Sequence, residues 1–247
     1  MGLNLKNILK YIISFFYYNL YKKYKSQKGN RVILYHAIGT DLDFDSYGIS
    51  ISKKKFTEHI TYLKDNYEII PLNENYKNNL NKLTVSITFD DGFKDNLYAL
   101  ELCERYNIPF TIYITTGFIG KSNYLDEEDI IKFSKSKNCT LGVHTVTHTP
   151  LDSLDYKMQY NELKNSKDYL ENLIGRKVNQ MSYPHGRYDD NTLSIIEKLG
   201  YNIVTSSHIG LNTTSNVNFR KLKRIEIIGS DGLMNLKKKI LGYYDFL

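Results

Sequence analysis

The amino-acid sequence predicts an α/β fold built on a parallel sheet. Short apolar runs rich in β-branched residues alternate along the chain with longer segments of helical periodicity. This alternation is typical of parallel strands covered by helices. The chain holds about seven such units, which favours a closed barrel over an open sheet. Its 247 residues, of which 41% are hydrophobic and 24% charged, suit one globular domain with a substantial core.

Each predicted strand is a short apolar segment bounded by residues that interrupt regular structure. Pro71 ends the second strand and Pro109 introduces the fourth. The predicted strands are residues 31–35, 68–70, 84–89, 110–115, 139–143, 178–183 and 201–205.

The predicted helices carry apolar residues at intervals of three and four, as Phe56, Ile60 and Leu63 do in the first. Acidic residues crowd the start of the third, where the helix dipole favours them, and Gly200 marks the end of the last. The predicted helices are residues 53–66, 94–106, 126–135, 155–173 and 189–199. The polar segment 206–218 predicts no regular element.

The first 28 residues form a basic arm ahead of a domain at 29–247. Residues 1–40 hold seven basic residues and no acidic one, while the rest of the chain carries 26 basic and 27 acidic residues. A near-neutral domain argues against nucleic acid as a partner. An apolar stripe with helical spacing runs through residues 4–25, at Leu5, Ile8, Leu9, Ile12, Phe16 and Leu20.

The arm favours a helix lying in the plane of an anionic membrane surface. Lys10 and Lys22 enclose only eleven residues, whereas a membrane-spanning helix needs about 20. The first alanine is Ala37, so no cleavage site of the usual kind is present and we expect no cleavable signal peptide. A helix packed on the domain's own surface and an uncleaved anchor remain alternatives, because amphipathicity does not separate them.

Two strand ends carry the residues that indicate chemistry. Asp90 and Asp91 follow the predicted strand 84–89, and His144 and His148 follow strand 139–143. In α/β proteins, residues at the carboxyl ends of strands face the ligand crevice. One carboxylate and two histidines suit a divalent metal with an open position, and the second carboxylate is then free to act as a base. Thr145 stands where a zinc protease of the H-E-x-x-H type needs glutamate.

Four segments in this order resemble the polysaccharide deacetylases, the family of the NodB homology domain and carbohydrate esterase family 4. They are the T-F-D-D-G segment 88–92, the H-T-V-T-H segment 144–148, the S-Y-P-H-G-R-Y-D-D segment 182–190 and the Tyr35-His36 pair, which a biofilm-polysaccharide subgroup carries. The resemblance spans residues 31–228 and implies a distorted (β/α) barrel of about seven parallel strands.

The resemblance also implies roles. It makes Asp91, His144 and His148 the ligands of one divalent metal and Asp90 the base. The metal is expected to be Zn²⁺, although Co²⁺, Ni²⁺ and Fe²⁺ suit the same ligands. Tyr183, Pro184 and His185 form the oxyanion and substrate segment, in which the backbone N–H of His185 faces the oxyanion. The family's usual arginine two residues before the proline is Ser182 here; Arg187 and Arg224 are the two candidates to replace it.

The proton donor is the least conventional part of the site. The family usually takes it from an L-x-H segment near the C-terminus, but residues 209–247 contain no histidine. The subgroup with an N-terminal Tyr-His pair uses that histidine instead, which implies His36 as the acid. His208 and a purely structural role for His36 are the alternatives, and His59 lies on a helix away from the strand ends.

Together these observations predict a metal-dependent hydrolase that removes N-acetyl groups from an amino sugar in a cell-surface glycan or glycolipid, giving free amine and acetate. An O-acetyl carbohydrate esterase and a non-catalytic, membrane-associated glycan-binding protein are the alternatives. We expect a bacterial protein that is cytoplasmic or peripheral at the membrane.

Overall fold

Parallel strands form a nearly closed barrel with helices on its outer surface, in a computed structural model that describes residues 5–24, 27–43, 45–73 and 75–246. The strands are β1 (Gly29–Tyr35), β2 (Glu68–Ile69), β3 (Leu83–Phe89), β4 (Phe110–Ile114), β5 (Cys139–Val143), β6 (Gln180–Ser182), β7 (Ile203–Thr205) and β8 (Arg224–Glu226). The helices are α1 (Leu5–Leu20), α2 (Lys53–Asn66), α3 (Asn96–Tyr106), α4 (Glu127–Lys135), α5 (Tyr156–Ile174), α6 (Asp190–Lys198) and α7 (Leu233–Leu241).

The predicted fold class is confirmed. The barrel runs in the order β7-β6-β5-β4-β3-β1-β8, and every strand pair is parallel. β2 pairs with the start of β3, and β4 pairs with its end, so two strands share one edge of β3 and the barrel is irregular. The gap between β7 and β8 is bridged where the Ser206 N–H donates to the Leu222 carbonyl at 2.9 Å.

Side-chain caps explain why the helix bounds follow the sequence closely. Ser52, Asp126, Asp155 and Asp189 each accept a hydrogen bond from a backbone N–H in the first turn of the helix that follows. Such caps satisfy donors that the helix leaves unpaired. The predicted helices at 126, 155 and 189 therefore begin one residue early, at the capping residue itself.

Two elements near the C-terminus were not predicted. β8 has only three residues, Arg-Ile-Glu, and its charged ends give no apolar run to recognise. α7 has nine residues, of which three are consecutive lysines, and it buries only Leu236 and Ile240. Both elements nevertheless matter, because β8 pairs with β1 along Val32–Leu34 and brings the C-terminal part of the chain to the N-terminal strand.

The helix α1 lies against the C-terminal tail. The Tyr18 ring stacks on Tyr243 with centroids 3.8 Å apart, and Lys22 pairs with Asp245 at 2.7 Å. Among the residues described, no helix is long and apolar enough to cross a bilayer. Residues 1–4, Lys25 and Ser26 of the predicted arm lie outside the described part of the chain.

Candidate active site

The predicted metal ligands, base and acid line one cavity of about 700 Å³ at the carboxyl ends of the strands, together with His185. The parallel register explains the convergence, because Tyr35 of β1 lies opposite Phe89 of β3, and the next residues leave both strands at the same edge. The histidine and carboxylate side chains that line it are His36, Asp45, Asp90, Asp91, His144, His148, His185 and Glu226.

Three of these side chains form a compact cluster that fits a divalent metal. The Asp91 Oδ1 atom lies 3.2 Å from His148 Nε2 and 3.5 Å from His144 Nε2, and the two histidine nitrogens are 3.1 Å apart. A tetrahedral metal with bonds of about 2.0–2.1 Å separates its ligand atoms by roughly 3.3 Å. The spacing of the three donors therefore matches such an ion.

Two details of the cluster support the same assignment. The Ser182 carbonyl accepts a hydrogen bond from His144 Nδ1 at 2.8 Å, which leaves the Nε2 lone pair free. The buried Asp91 Oδ1 has no hydrogen-bond donor within the described part of the chain. A buried carboxylate oxygen without a donor is costly, and a bound cation would relieve that cost.

The backbone at the cluster adopts left-handed conformations that most residues avoid. The φ angles are 73° at Asp91, 64° at Thr145, 63° at His148 and 56° at His185. Each such residue costs on the order of 1–3 kcal/mol, and such residues concentrate at functional sites. The reversal at Asp91 explains how two consecutive carboxylates, which would diverge on a regular strand, both line the cavity.

Arg224 holds the predicted base. It donates from Nη1 to Asp90 Oδ1 and from Nη2 to Oδ2, both at 2.7 Å, and the Ser182 hydroxyl donates to Oδ2 at 3.0 Å. Burial opposes ionisation of Asp90, but the Arg224 and His144 charges outweigh it and hold the pKa of Asp90 below its usual range. Arg187, the other candidate, pairs with Asp152 at the surface and its side chain is 56% exposed.

The structure separates the three histidines considered as proton donor. His36 lines the cavity, and its Nδ1 lies 3.6 Å from Glu226 Oε1. His208 is exposed and its ring lies beside Tyr188, outside the cavity lining. His59 is buried behind β1, where its Nδ1 is 3.2 Å from the Tyr35 hydroxyl, and burial lowers its pKa to about 4.

The predicted oxyanion segment divides between the cavity and the core. Pro184–Gly186 forms a tight turn in which His185 has a left-handed φ of 56°. The N–H groups of Gly186 and Arg187 donate to the carbonyls of Tyr183 and Pro184 and close the turn. The His185 ring lies 4.6 Å from that of His148. The Tyr183 side chain does not reach the cavity: it is fully buried, and its hydroxyl donates to the Arg220 carbonyl at 2.8 Å.

Sequence reasoning missed several residues of the cavity wall. Glu226 belongs to a strand too short to recognise, and Tyr47, 84% exposed, sits in a loop without a motif. The rings of Phe118 and Tyr124 pack on another side, with centroids 4.9 Å apart and planes tilted by 56°. The one available signal was positional: Glu226 lies two residues after Arg224, on the same face of a strand.

Comparison with known proteins agrees with this geometry. The profile of the polysaccharide deacetylase family matches residues 77–204, half of the chain. The chain is 28% identical over 186 residues to the Bacillus subtilis protein YxkH. The match covers 72% of this chain and 64% of YxkH, so the chain spans less than two thirds of that relative. It is 26% identical over 216 residues to the Staphylococcus aureus poly-beta-1,6-N-acetyl-D-glucosamine N-deacetylase, covering 79% and 73%.

A solved structure shows the same fold. Streptococcus pyogenes deacetylase PplD, in complex with acetate, superposes with a TM-score of 0.76 at 26% identity over 86% of this chain and 98% of that one. The strand ends with their carboxylates and histidines thus define a deacetylase-type barrel. The chain belongs to the polysaccharide deacetylase family.

Proposed function

We propose that the protein is a metal-dependent N-deacetylase that removes acetyl groups from an amino sugar in a glycan or glycolipid. The observation that carries the proposal is that three features meet in one cavity: an ionised Asp90 held by an arginine, a cluster of donors spaced for a metal, and His36 at the end of the neighbouring strand β1. Hydrolysis of an amide needs a base, an electrophilic activator and an acid for the leaving amine.

The chain's own residues divide the work as follows. A divalent metal held by Asp91, His144 and His148, which we propose to be Zn²⁺, supplies Lewis acidity toward the acetamide carbonyl and lowers the pKa of water. Asp90 takes the proton of the attacking water, because its low pKa keeps it ionised and Arg224 fixes its orientation. The His185 N–H donates to the developing oxyanion. His36 gives a proton to the leaving nitrogen.

Glu226 acts on this reaction through His36. Its carboxylate lies 3.6 Å from His36 Nδ1, an ion-pair distance, and holds the imidazole ring at the cavity wall. We assign the proton transfer to the other ring nitrogen, Nε2.

The proposed substrate class rests on the cavity and on the relatives. A volume of about 700 Å³ admits a sugar unit, and aromatic side chains on its wall suit the apolar faces of a sugar ring. The Staphylococcus aureus relative is named for an N-acetylglucosamine polymer. An ester of the same sugars is the competing substrate, since water attack on an O-acetyl group needs the same residues.

Acetate release from N-acetylglucosamine oligomers and from O-acetylated xylan, by the full chain supplied with Zn²⁺, tests the proposal. We expect release from the amide substrate and its loss in Asp90→Asn. Asp152→Asn is the matched control, because this aspartate also pairs with an arginine but lies at the surface. Release from the ester alone would identify an esterase. Tight binding of the oligomers without any release would identify a glycan-binding protein.

We also propose that the protein works as a peripheral protein at a bacterial membrane surface. The basic arm and its amphipathic helix support this location.

A further inference from the structure

The helix α1 turns large apolar side chains away from the rest of the protein. Leu9 is 56% exposed, Ile12 48%, Phe16 55% and Leu20 75%. Their spacing of three and four residues places them on one face of the helix, together with Ile13. We call this set the outer stripe. Leu9, Ile12, Phe16 and Leu20 belong to the stripe that the sequence predicts, and in the structure all four are exposed.

A different face of α1 holds the helix to the barrel. Ser14 is 2% exposed, Tyr18 stacks on Tyr243, and the Lys10 Nζ lies 5.4 Å from the centre of the Tyr244 ring. These residues lie roughly opposite the outer stripe at 100° per residue. Packing against the protein itself therefore accounts for one face of α1, while the residues that the structure describes leave the outer stripe exposed.

An ionic cluster fixes the end of the helix relative to the barrel. The Asp245 carboxylate accepts hydrogen bonds from Arg31 at 2.7 and 3.1 Å and pairs with Lys22 at 2.7 Å. The Arg31 side chain is fully buried and that of Asp245 is 6% exposed. Because Arg31 belongs to β1, this cluster ties the helix to the strand that carries His36 at its other end.

Charge identifies the occupant of the outer stripe. Residues 1–40 carry seven basic residues and no acidic one. Lys22 and Arg31 pair with Asp245, which leaves the five other lysines of this segment for head groups. On the adjacent α7, Lys238 approaches the Tyr11 ring at 5.7 Å and adds further positive charge. A second copy of this helix would bring like charges together, whereas the anionic head groups of a bilayer would complement them.

We propose that the outer stripe lies in the interface of an anionic lipid bilayer, with α1 parallel to the membrane plane; this inference rests on the peripheral location proposed above and names the surface responsible for it. Apolar side chains enter the acyl boundary while lysines contact head groups, the arrangement of interfacial helices. Arg31 marks the end of β1 that holds the helix, and His36 marks the end that faces the cavity. The two residues are five apart along an extended strand, roughly 16 Å, so the cavity stays accessible. Membrane binding and hydrolysis then use separate surfaces and can be tested separately.

The test uses the full chain and sedimentation with lipid vesicles. The stripe variant combines Ile12→Gln, Phe16→Gln and Leu20→Gln. The control variant combines Tyr156→Gln, Met158→Gln and Met234→Gln, which are 43%, 54% and 65% exposed but lie outside α1. We expect the wild type and the control to bind phosphatidylglycerol vesicles, with the stripe variant weaker by about tenfold or more. Added salt and vesicles of phosphatidylcholine alone should both weaken binding.

Two further measurements keep the outcome decisive. Circular dichroism and acetate release without vesicles should be the same in the stripe variant as in the wild type, because the substituted side chains are exposed. Lys23→Glu, a single change at an exposed position, should weaken binding to phosphatidylglycerol without disturbing the fold. Equal vesicle binding by the stripe and control variants would overturn the proposal. So would a wild-type dimer that ignores vesicles and becomes monomeric in the stripe variant.

Discussion

Replacing Arg224 by methionine tests whether the buried pair with Asp90 organises the site. Arg224 is 1% exposed and Asp90 2% exposed, and the two share two hydrogen bonds of 2.7 Å. The substitution keeps the length and apolar volume of the side chain but removes the charge. It leaves a buried carboxylate whose one remaining side-chain hydrogen-bond donor, among the residues described, is the Ser182 hydroxyl.

The expected cost follows from those contacts. Each charge-assisted hydrogen bond contributes about 1.5–3 kcal/mol, and breaking a buried ion pair typically costs about 3–5 kcal/mol. At roughly 2–4 °C of melting temperature per kcal/mol for a chain of this size, the loss amounts to about 10 °C. Arg187→Met removes a surface pair instead and should cost no more than about 1 kcal/mol.

The pH dependence gives the second readout. In the wild type the pKa of Asp90 is lowered, so its contribution to stability is present above the unfolded pKa near 3.9 and is lost as pH falls through the folded value. In Arg224→Met, burial is no longer opposed by the guanidinium and the pKa of Asp90 rises. The acidic limb of the rate profile should therefore move to higher pH.

Thermal unfolding in chelator, together with acetate release across pH after metal is returned, would measure both effects. We expect kcat to fall on the order of 10²-fold, since a displaced base loses alignment with its water. Arg224→Lys should recover part of the stability but not the bidentate geometry. If Arg224→Met and Arg187→Met unfold at the same temperature and share one pH profile, Arg224 does not hold the base.

Three further expectations concern single residues. His148→Ala should reduce bound metal well below one equivalent by elemental analysis, whereas His208→Ala should retain the wild-type content; equal contents would place the metal elsewhere. His36→Ala should keep its metal while kcat falls on the order of 10²–10⁴-fold, the usual effect of losing a proton donor, and a larger loss in His208→Ala would assign that role to His208 instead. Asp245→Asn should lower the free energy of unfolding by about 3 kcal/mol in urea, because Arg31 is left buried and unpaired, and no change would show that the cluster does not hold the helix.

Most of the fold could be predicted because its long apolar strands and capped helices are locally encoded. β5 lies between α4 and α5, which the side chains of Asp126 and Asp155 cap, so periodicity and capping give bounds that agree to within one residue at the start of each helix. The closure of the barrel could not be predicted in this way. β8 has three residues and is stabilised by its pairing with β1, which depends on contacts distant in sequence.

The candidate site shows the same division between local and distant information. Asp90, Asp91, His144 and His148 stand in short motifs at strand ends, so their positions followed from the sequence. The partner of Asp90 did not, because Arg187 and Arg224 are equivalent as residues and only burial separates them. Tyr183 lay in the expected segment, yet its side chain turns into the core and donates to the Arg220 carbonyl.

The short strand β8 links the proposed base and acid. Arg224 and Glu226 are two residues apart, so they lie on one face of the strand, and one holds Asp90 while the other lies beside His36. Ser182, at the position where the family usually has an arginine, is small enough to donate to Asp90 while accepting from the Arg224 Nη2 at 2.7 Å. Arg224, which belongs to β8, thus reaches Asp90 past the small Ser182 side chain. A larger residue at position 182 would fill that space. Substitutions that disturb the pairing of β8 with β1 should therefore affect both proton-transfer groups together.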